Sequence, residues 1–310
     1  VANTEILVET GPCTAEARPM ARPGSWAFVR DLVALTKPRI TSLVMLTGAA
    51  GACLAPDRTP LGRLLLSLAG TALIVGSANA LNMWWERDVD GKMARTRNRP
   101  LPAGRMSPDV ALVFGLALGL LGTPMLFLVN VTTGLLGMLA LVTYVAVYTP
   151  LKRRTHLALL VGAVPGAMPP LLGWTTATGT LGLGGLLLFA VLFLWQLPHF
   201  AAITIFRAED YARAGLQVVS VQLGERAARQ SVAVWTVLLV VTSLLFVPFG
   251  LAGRFYLGAA TALGAIFLAL AFRGLRAGSR LDTRRWARWV FAYSLPYLPL
   301  LLCALLASRA

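Results

Sequence analysis

The sequence predicts an all-α, polytopic membrane protein with nine transmembrane helices around a central cavity open to the cytoplasmic side. Three observations carry that expectation. The 310 residues are 57% hydrophobic and only 13% charged, about half the ~25% charged share of an ordinary soluble domain. Apolar stretches near the ~20 residues that cross a hydrocarbon core recur along the chain. Lys and Arg are abundant in every second connecting segment and scarce in the others.

The spans are expected at residues 40–56, 64–84, 110–129, 131–149, 157–174, 181–203, 231–251, 255–272 and 289–307. Several contain Gly and Pro, which membrane helices tolerate better than soluble ones. Residues 1–30, with Pro12, Pro19 and Pro23, are expected as a flexible cytoplasmic tail. Residues 31–310 then form a single membrane domain. Little beyond Asn130 separates the third and fourth spans, and only residues 175–180 separate the fifth and sixth. Both pairs are therefore expected as tight helical hairpins.

Charge sets the expected orientation. The net charge is +15. With the N-terminus cytoplasmic, 24 of the 28 Lys and Arg fall on one side, and only Arg58, Arg63, Arg254 and Arg309 on the other. That asymmetry is the positive-inside pattern, with the C-terminus outside and an odd number of spans. It accounts for the basic excess without nucleic acid as a partner, and part of it suits anionic lipid headgroups. Twelve of the 13 carboxylates share the cytoplasmic side, Asp57 being the exception. Cys13, Cys53 and Cys303 have no metal-ligand spacing and are expected to pack as apolar groups, without a disulfide framework. The polar leader before the first span does not read as a cleavable signal.

Chemistry is concentrated at two span ends. Asn82, Glu86 and Asp90 run off the end of the second span at i, i+4 and i+8, one polar stripe on a helix. Ionisable groups at such positions are costly and usually functional. Oxygen ligands in a row suit Mg²⁺, which in such sites carries substrate phosphates. A cationic run follows, including Lys92, Arg95, Arg97 and Arg99. Carboxylates beside cations match a metal–diphosphate: acids for the metal, Arg and Lys for the remaining oxygens. At least half of these cations are as well explained by the positive-inside pattern alone. Lys152 and Arg153, ending the fourth span, divide equally between a phosphate contact and an anchor. A similar basic step, Lys37-Pro38-Arg39, opens the first span.

The second cluster is Trp195-Gln196-Leu197-Pro198-His199-Phe200, then Arg207-Ala208-Glu209-Asp210-Tyr211. His199 and Asp210 share a face if the helix is continuous across their eleven-residue separation. Asp210 is read as a second metal ligand or its partner. His199 divides evenly between a substrate contact and a structural hydrogen bond. The two clusters lie four spans apart, a weak sign of an internal repeat with two half-sites facing one cavity.

The ordered set Lys37-Pro38-Arg39, Asn82-x-x-x-Glu86-x-x-x-Asp90, Arg95-Thr96-x-Asn98-Arg99-Pro100-Leu101-Pro102, Tyr148-Thr149-x-x-Lys152-Arg153 and Pro198-His199-Phe200…Arg207-x-x-Asp210-Tyr211 resembles the intramembrane aromatic prenyltransferases related to 4-hydroxybenzoate polyprenyltransferase. The likeness runs from about residue 31 to the C-terminus. Met83 and Glu86 replace the Asp residues usual in the first motif, and Pro198-His199-Phe200 replaces an Asp-rich start of the second. Both departures resemble the branch of the family that farnesylates heme. Ala201 and Ala202 stand where many members of that branch carry aromatic residues.

The resemblance implies transfer of a farnesyl group from farnesyl diphosphate to a vinyl group of heme b in a bacterial-type inner or plasma membrane. It implies Mg²⁺ held by Asn82, Glu86, Asp90 and Asp210, and diphosphate held by Arg95, Arg99, Lys152 and Arg153. It implies a heme contact at His199, through the iron, a propionate or the porphyrin edge. Trp84, Trp85 and Trp195 divide between lining the cavity and marking the membrane interface. A heme A synthase or a terminal oxidase follows as an expected partner. Three rival readings are a prenyltransferase for a quinone precursor, a secondary transporter and a non-catalytic heme-handling factor. Transporters place charge near the midplane, whereas here it sits at span ends.

Overall fold

The computed structural model describes residues 25–276 and 278–308. The described chain is helical, without strands. Its helices are α1 (Ser25–Leu35), α2 (Pro38–Leu54), α3 (Leu61–Lys92), α4 (Pro108–Val129), α5 (Val131–Val142), α6 (Thr149–Leu151), α7 (Ala158–Thr178), α8 (Leu183–Phe206), α9 (Ala208–Arg213), α10 (Val219–Gln222), α11 (Gly224–Leu244), α12 (Arg254–Arg273) and α13 (Arg280–Ala307). A π-helical segment, Thr143–Tyr148, joins α5 to α6, so the apolar run Val131–Leu151 is one rod.

Among the described residues, eight helical rods are long and apolar enough to cross a bilayer; Pro38–Leu54 is a shorter apolar helix. At 17 residues it sits at the lower limit of about 17 residues for a span. Most expected spans are recovered within a few residues. The differences are informative. α3 continues to Lys92, past the expected end at 84, because the polar stripe is buried rather than solvated. α11 begins at Gly224 and stops at Leu244, and α13 begins at Arg280, nine residues earlier than expected. Ser279 caps that start by accepting the Asp282 amide.

Residues 1–24, including Cys13, lie outside the described residues. Residues 25–30, expected as tail, instead open helix α1. Asp31 and Leu35 are its buried side, while Trp26, Val29 and Val33 are exposed. Arg105, in the α3–α4 loop, grips Asp31 through Nε at 3.0 Å and a second nitrogen at 3.1 Å. The hydrogen bonds to Asp31 raise the Arg105 pKa.

Neighbours in the chain pack in sequence: α3 along α4, α4 on α5, α7 on α8, α11 on α12, α12 on α13. Contacts between helices further apart in the chain knit the bundle: α2 packs on α7, α8 on both α11 and α13, and α13 returns to touch α2. Asn130 alone separates α4 from α5 and accepts the Thr133 amide. The expected hairpin there is formed, as is the α7–α8 hairpin.

The α2–α7 contact is backbone against backbone. A Cβ on Gly51 would stand 2.0 Å from the Pro170 carbonyl oxygen, and one on Gly173 would stand 1.8 Å from the Gly48 oxygen. Small residues permit such approach where packing, not the hydrophobic effect, drives association. Gly173→Ala is expected to part the helices and cost about 1–3 kcal/mol. Thermal unfolding in lipid tests this; an unchanged midpoint would contradict the close contact. Buried hydroxyls add links across the bundle, Ser67 to Thr176 at 2.6 Å and Thr133 to Thr175 at 2.9 Å.

Candidate active site

The acid stripe is formed as one continuous helical face. Asn82, Glu86 and Asp90 are all buried, at 3%, 6% and 4% exposure. The Asn82 amide nitrogen donates to Glu86 Oε2 at 2.9 Å and to Thr149 Oγ1 at 3.1 Å. Thr149 donates in turn to the Tyr144 carbonyl at 2.8 Å. The π-helical turn just before Thr149 and Pro150 swings this hydroxyl onto α3; π-turns of this kind recur at functional sites.

Two of the predicted cations join the stripe. Lys152 Nζ lies 2.6 Å from Glu86 Oε2, and Arg99 lies 2.7 Å from Asp90 Oδ2. The Lys152 ammonium also stands 4.7 Å from the Tyr148 ring centre. Thr96 holds the end of α3 by donating to the Asp90 carbonyl at 2.7 Å. Arg95 is placed elsewhere, on Tyr211 of the α9 segment, with its guanidinium 5.3 Å from the ring centre. It bridges the α3–α4 loop to the α8–α11 loop at an exposed rim. Arg153 is exposed, and its side chain meets no partner among the described residues.

Lys37 joins the cations, though its sequence context marks it only as a basic step. Among the described residues it is the non-glycine residue with positive φ (49°, ψ 66°). A residue before proline is steered away from the right-handed helical region, and left-handed backbone on a lysine is strained; such strain gathers at functional sites. Burial, then repulsion from Arg99 and Lys152, lowers the Lys37 pKa to about 7, against opposing attraction from Asp90 and Glu86. A depressed lysine binds fewer protons folded than unfolded between that value and its unperturbed value near ~10.4. Stability of the ligand-free protein is therefore expected to rise from pH 7 towards about pH 9, with a flatter profile in Lys37→Met. Equal slopes for the two proteins would contradict this.

The second cluster assembles differently from its sequence expectation. α8 stops at Phe206, and Arg207 leaves helical geometry (φ −115°, ψ 16°) before α9 begins. His199 and Asp210 thus do not share one continuous helical face. The carboxylate of Asp210 is bridged by Arg207 at 3.6 Å and by Arg213, an economical solution for a buried acid in a basic loop. His199 is buried inside the bundle, hydrogen-bonded to Ser294 at 2.7 Å and stacked on Trp195. Of the three tryptophans expected at the cavity or the interface, Trp195 is buried beside His199, Trp84 is half-buried under Arg87, and Trp85 is exposed. Ser294 had no sequence signal beyond a polar residue in an apolar run.

The donor set fits a divalent cation. Among the described residues no three of His, Cys, Asp and Glu are grouped tightly enough to form a metal cage. Mg²⁺ does not need one: it binds through one or two carboxylates with substrate phosphates and water completing the shell. The decisive atom is Glu86 Oε1, sealed from solvent and without a hydrogen-bond partner. Buried carboxylate oxygen left unpaired is costly. An adjacent ligand that brings positive charge would satisfy it.

A separate apolar cavity of about 590 Å³ lies at the far end of the bundle, against Leu54, Trp174, Leu188, Phe246 and Leu305. It is remote from the acids, since α2 reaches it with its C-terminal end and starts beside Lys37.

Comparison with known proteins finds relatives over most of the chain. The UbiA prenyltransferase family model matches residues 44–295. Protoheme IX farnesyltransferase of Anaeromyxobacter sp. (strain Fw109-5) is 51% identical over 294 residues, covering 94% of this chain and 97% of the relative. The protein of the same description from Sorangium cellulosum (strain So ce56) is 52% identical over 269 residues, covering 86% and 95%. Among solved structures, digeranylgeranylglyceryl phosphate synthase superposes with a TM-score of 0.78 at 15% identity, covering 90% of this chain and 98% of that one. A UbiA homolog from Archaeoglobus fulgidus bound to GPP and Mg²⁺ gives 0.60 at 16% identity, covering 87% and 99%. At such identities the structural likeness speaks for the fold.

Proposed function

The chain belongs to the UbiA prenyltransferase family, and from that premise we propose that it transfers the farnesyl group of farnesyl diphosphate to a vinyl group of heme b. The observation that supports this most is the unpartnered Glu86 Oε1 on a carboxylate paired with Lys152, with Arg99 on the next acid of the stripe, Asp90, and Lys37 within their electrostatic reach. Its surroundings suit a polyanion that arrives with a divalent cation.

Asn82, Glu86 and Asp90 are the proposed Mg²⁺ ligands. Asp210 is a further ligand, which requires Arg207 and Arg213 to exchange its carboxylate for phosphate oxygens. When bound, the metal supplies Lewis-acid stabilisation of the departing diphosphate. Lys152 and Arg99 move from their acids to phosphate oxygens, and Lys37 adds a third cation. Arg95 and Arg153 close from the rim. These fixed charges stabilise the leaving group as its negative charge grows. The allylic C–O bond then breaks, and the farnesyl carbon forms a C–C bond with the terminal vinyl carbon. Water adds to the resulting porphyrin-adjacent cation and releases one proton, leaving a hydroxyethylfarnesyl side chain. His199 contacts the heme. The acids lie on the cytoplasmic side of a bacterial inner or plasma membrane, with the N-terminus inside and the C-terminus outside, Pro38–Leu54 being the first of nine spans. Product passes to a heme A synthase or a terminal oxidase.

Diphosphate release from farnesyl diphosphate tests the reading. Release is expected only with Mg²⁺ and heme b together. Equal release with a quinone precursor in place of heme would favour the rival acceptor class.

A further inference from the structure

His199 offers two ring nitrogens, and the network around it fixes which one carries the proton. Nδ1 lies 2.7 Å from Ser294 Oγ. The Ser294 hydroxyl has one hydrogen, which it donates to the Phe291 carbonyl at 2.6 Å. With that hydrogen committed, its oxygen is left to accept from His199, which assigns the hydrogen to Nδ1 and the lone pair to Nε2. Ser294 is gripped a second time from α8, where Trp195 Nε1 donates to its carbonyl at 2.7 Å. Trp195 stacks on the imidazole at 4.8 Å and Phe291 tilts against it at 4.9 Å, so the ring cannot turn without disturbing both helices.

Nε2 meets no hydrogen-bond donor among the described residues, and it is not among the sealed, unpartnered polar atoms. A lone pair cannot donate to a heme propionate. It can bind a Lewis acid. We propose that Ser294 is a positioning residue that holds His199 in the Nδ1–H tautomer, so that Nε2 ligates the iron of the heme substrate. This rests on the heme reading of the site. A hydrogen bond on the distal nitrogen both orients a ligating imidazole and raises its basicity. An iron anchored at α8 would hold the porphyrin at a set depth, with the vinyl edge left to face the diphosphate site.

The test is resonance Raman spectroscopy of ferrous heme b bound to the full chain in lipid nanodiscs, without farnesyl diphosphate. The parent chain is expected to give an iron–imidazole stretch that is lost in His199→Ala. Ser294→Ala should lower the stretching frequency and weaken heme binding about 10-fold or more, and Ser294→Thr should restore both. If Ser294→Ala fails to fold, Ser294→Cys, a weaker acceptor, must show the same downward shift. An unshifted band in the Ser294 variants would overturn the positioning role. Absence of an iron–imidazole band in the parent chain would overturn ligation itself. Heme farnesylation by the parent chain, followed in parallel, separates these failures from failure of the heme reading.

Discussion

Glu86→Gln is expected to lower prenyl transfer about 100- to 1000-fold, the range seen when one preorganised charge-stabilising group is removed. The variant keeps the shape of the side chain. It removes the charge that holds Lys152 Nζ at 2.6 Å and presents an amide where the unpartnered Oε1 now stands. Metal affinity and the orientation of Lys152 fail together. Asp90→Asn should act in the same direction by freeing Arg99. Diphosphate release measured against Mg²⁺ concentration checks both variants. A parent-like rate at saturating metal from folded Glu86→Gln protein would remove this acid from the mechanism.

The second large effect falls on the other substrate. His199→Ala is expected to reduce heme farnesylation by at least about 10-fold, in line with the loss of one ligand contact, while farnesyl diphosphate binding stays near the parent level. The separation follows from the structure: His199 bonds to Ser294 and packs on Trp195, whereas Glu86 bonds to Lys152, Asp90 to Arg99 and Asn82 to Thr149. Isothermal titration with a farnesyl diphosphate analogue and Mg²⁺, beside product heme measurements, distinguishes the two effects. Equal loss of both activities would mean that His199 supports the bundle, not the acceptor.

The legible part of the site is the part written at helical spacing. Asn82, Glu86 and Asp90 could be read as one face because α3 runs unbroken through them. The same stripe concealed the end of that helix, since hydropathy falls at residue 84 while burial continues. The His199–Asp210 relation is hidden for the opposite reason: the shared face requires a continuous helix, and α8 ends at Phe206. Nothing in a string of helix-forming residues announces the break at Arg207. Lys37 was visible as a basic residue before proline, but its left-handed backbone and its approach to Arg99 and Lys152 arise from how α1 and α2 meet the bundle. Ser294 lies 95 residues from His199. Only the packing of α13 on α8 brings them together.

The most direct measurement is the mass of the hemes extracted from membranes carrying this chain after incubation with heme b, farnesyl diphosphate and Mg²⁺. The expected product is a heme carrying a hydroxyethylfarnesyl group, lost on addition of EDTA and in Asp90→Asn. Unmodified heme b from demonstrably folded protein, with diphosphate released to another aromatic acceptor, would contradict the account.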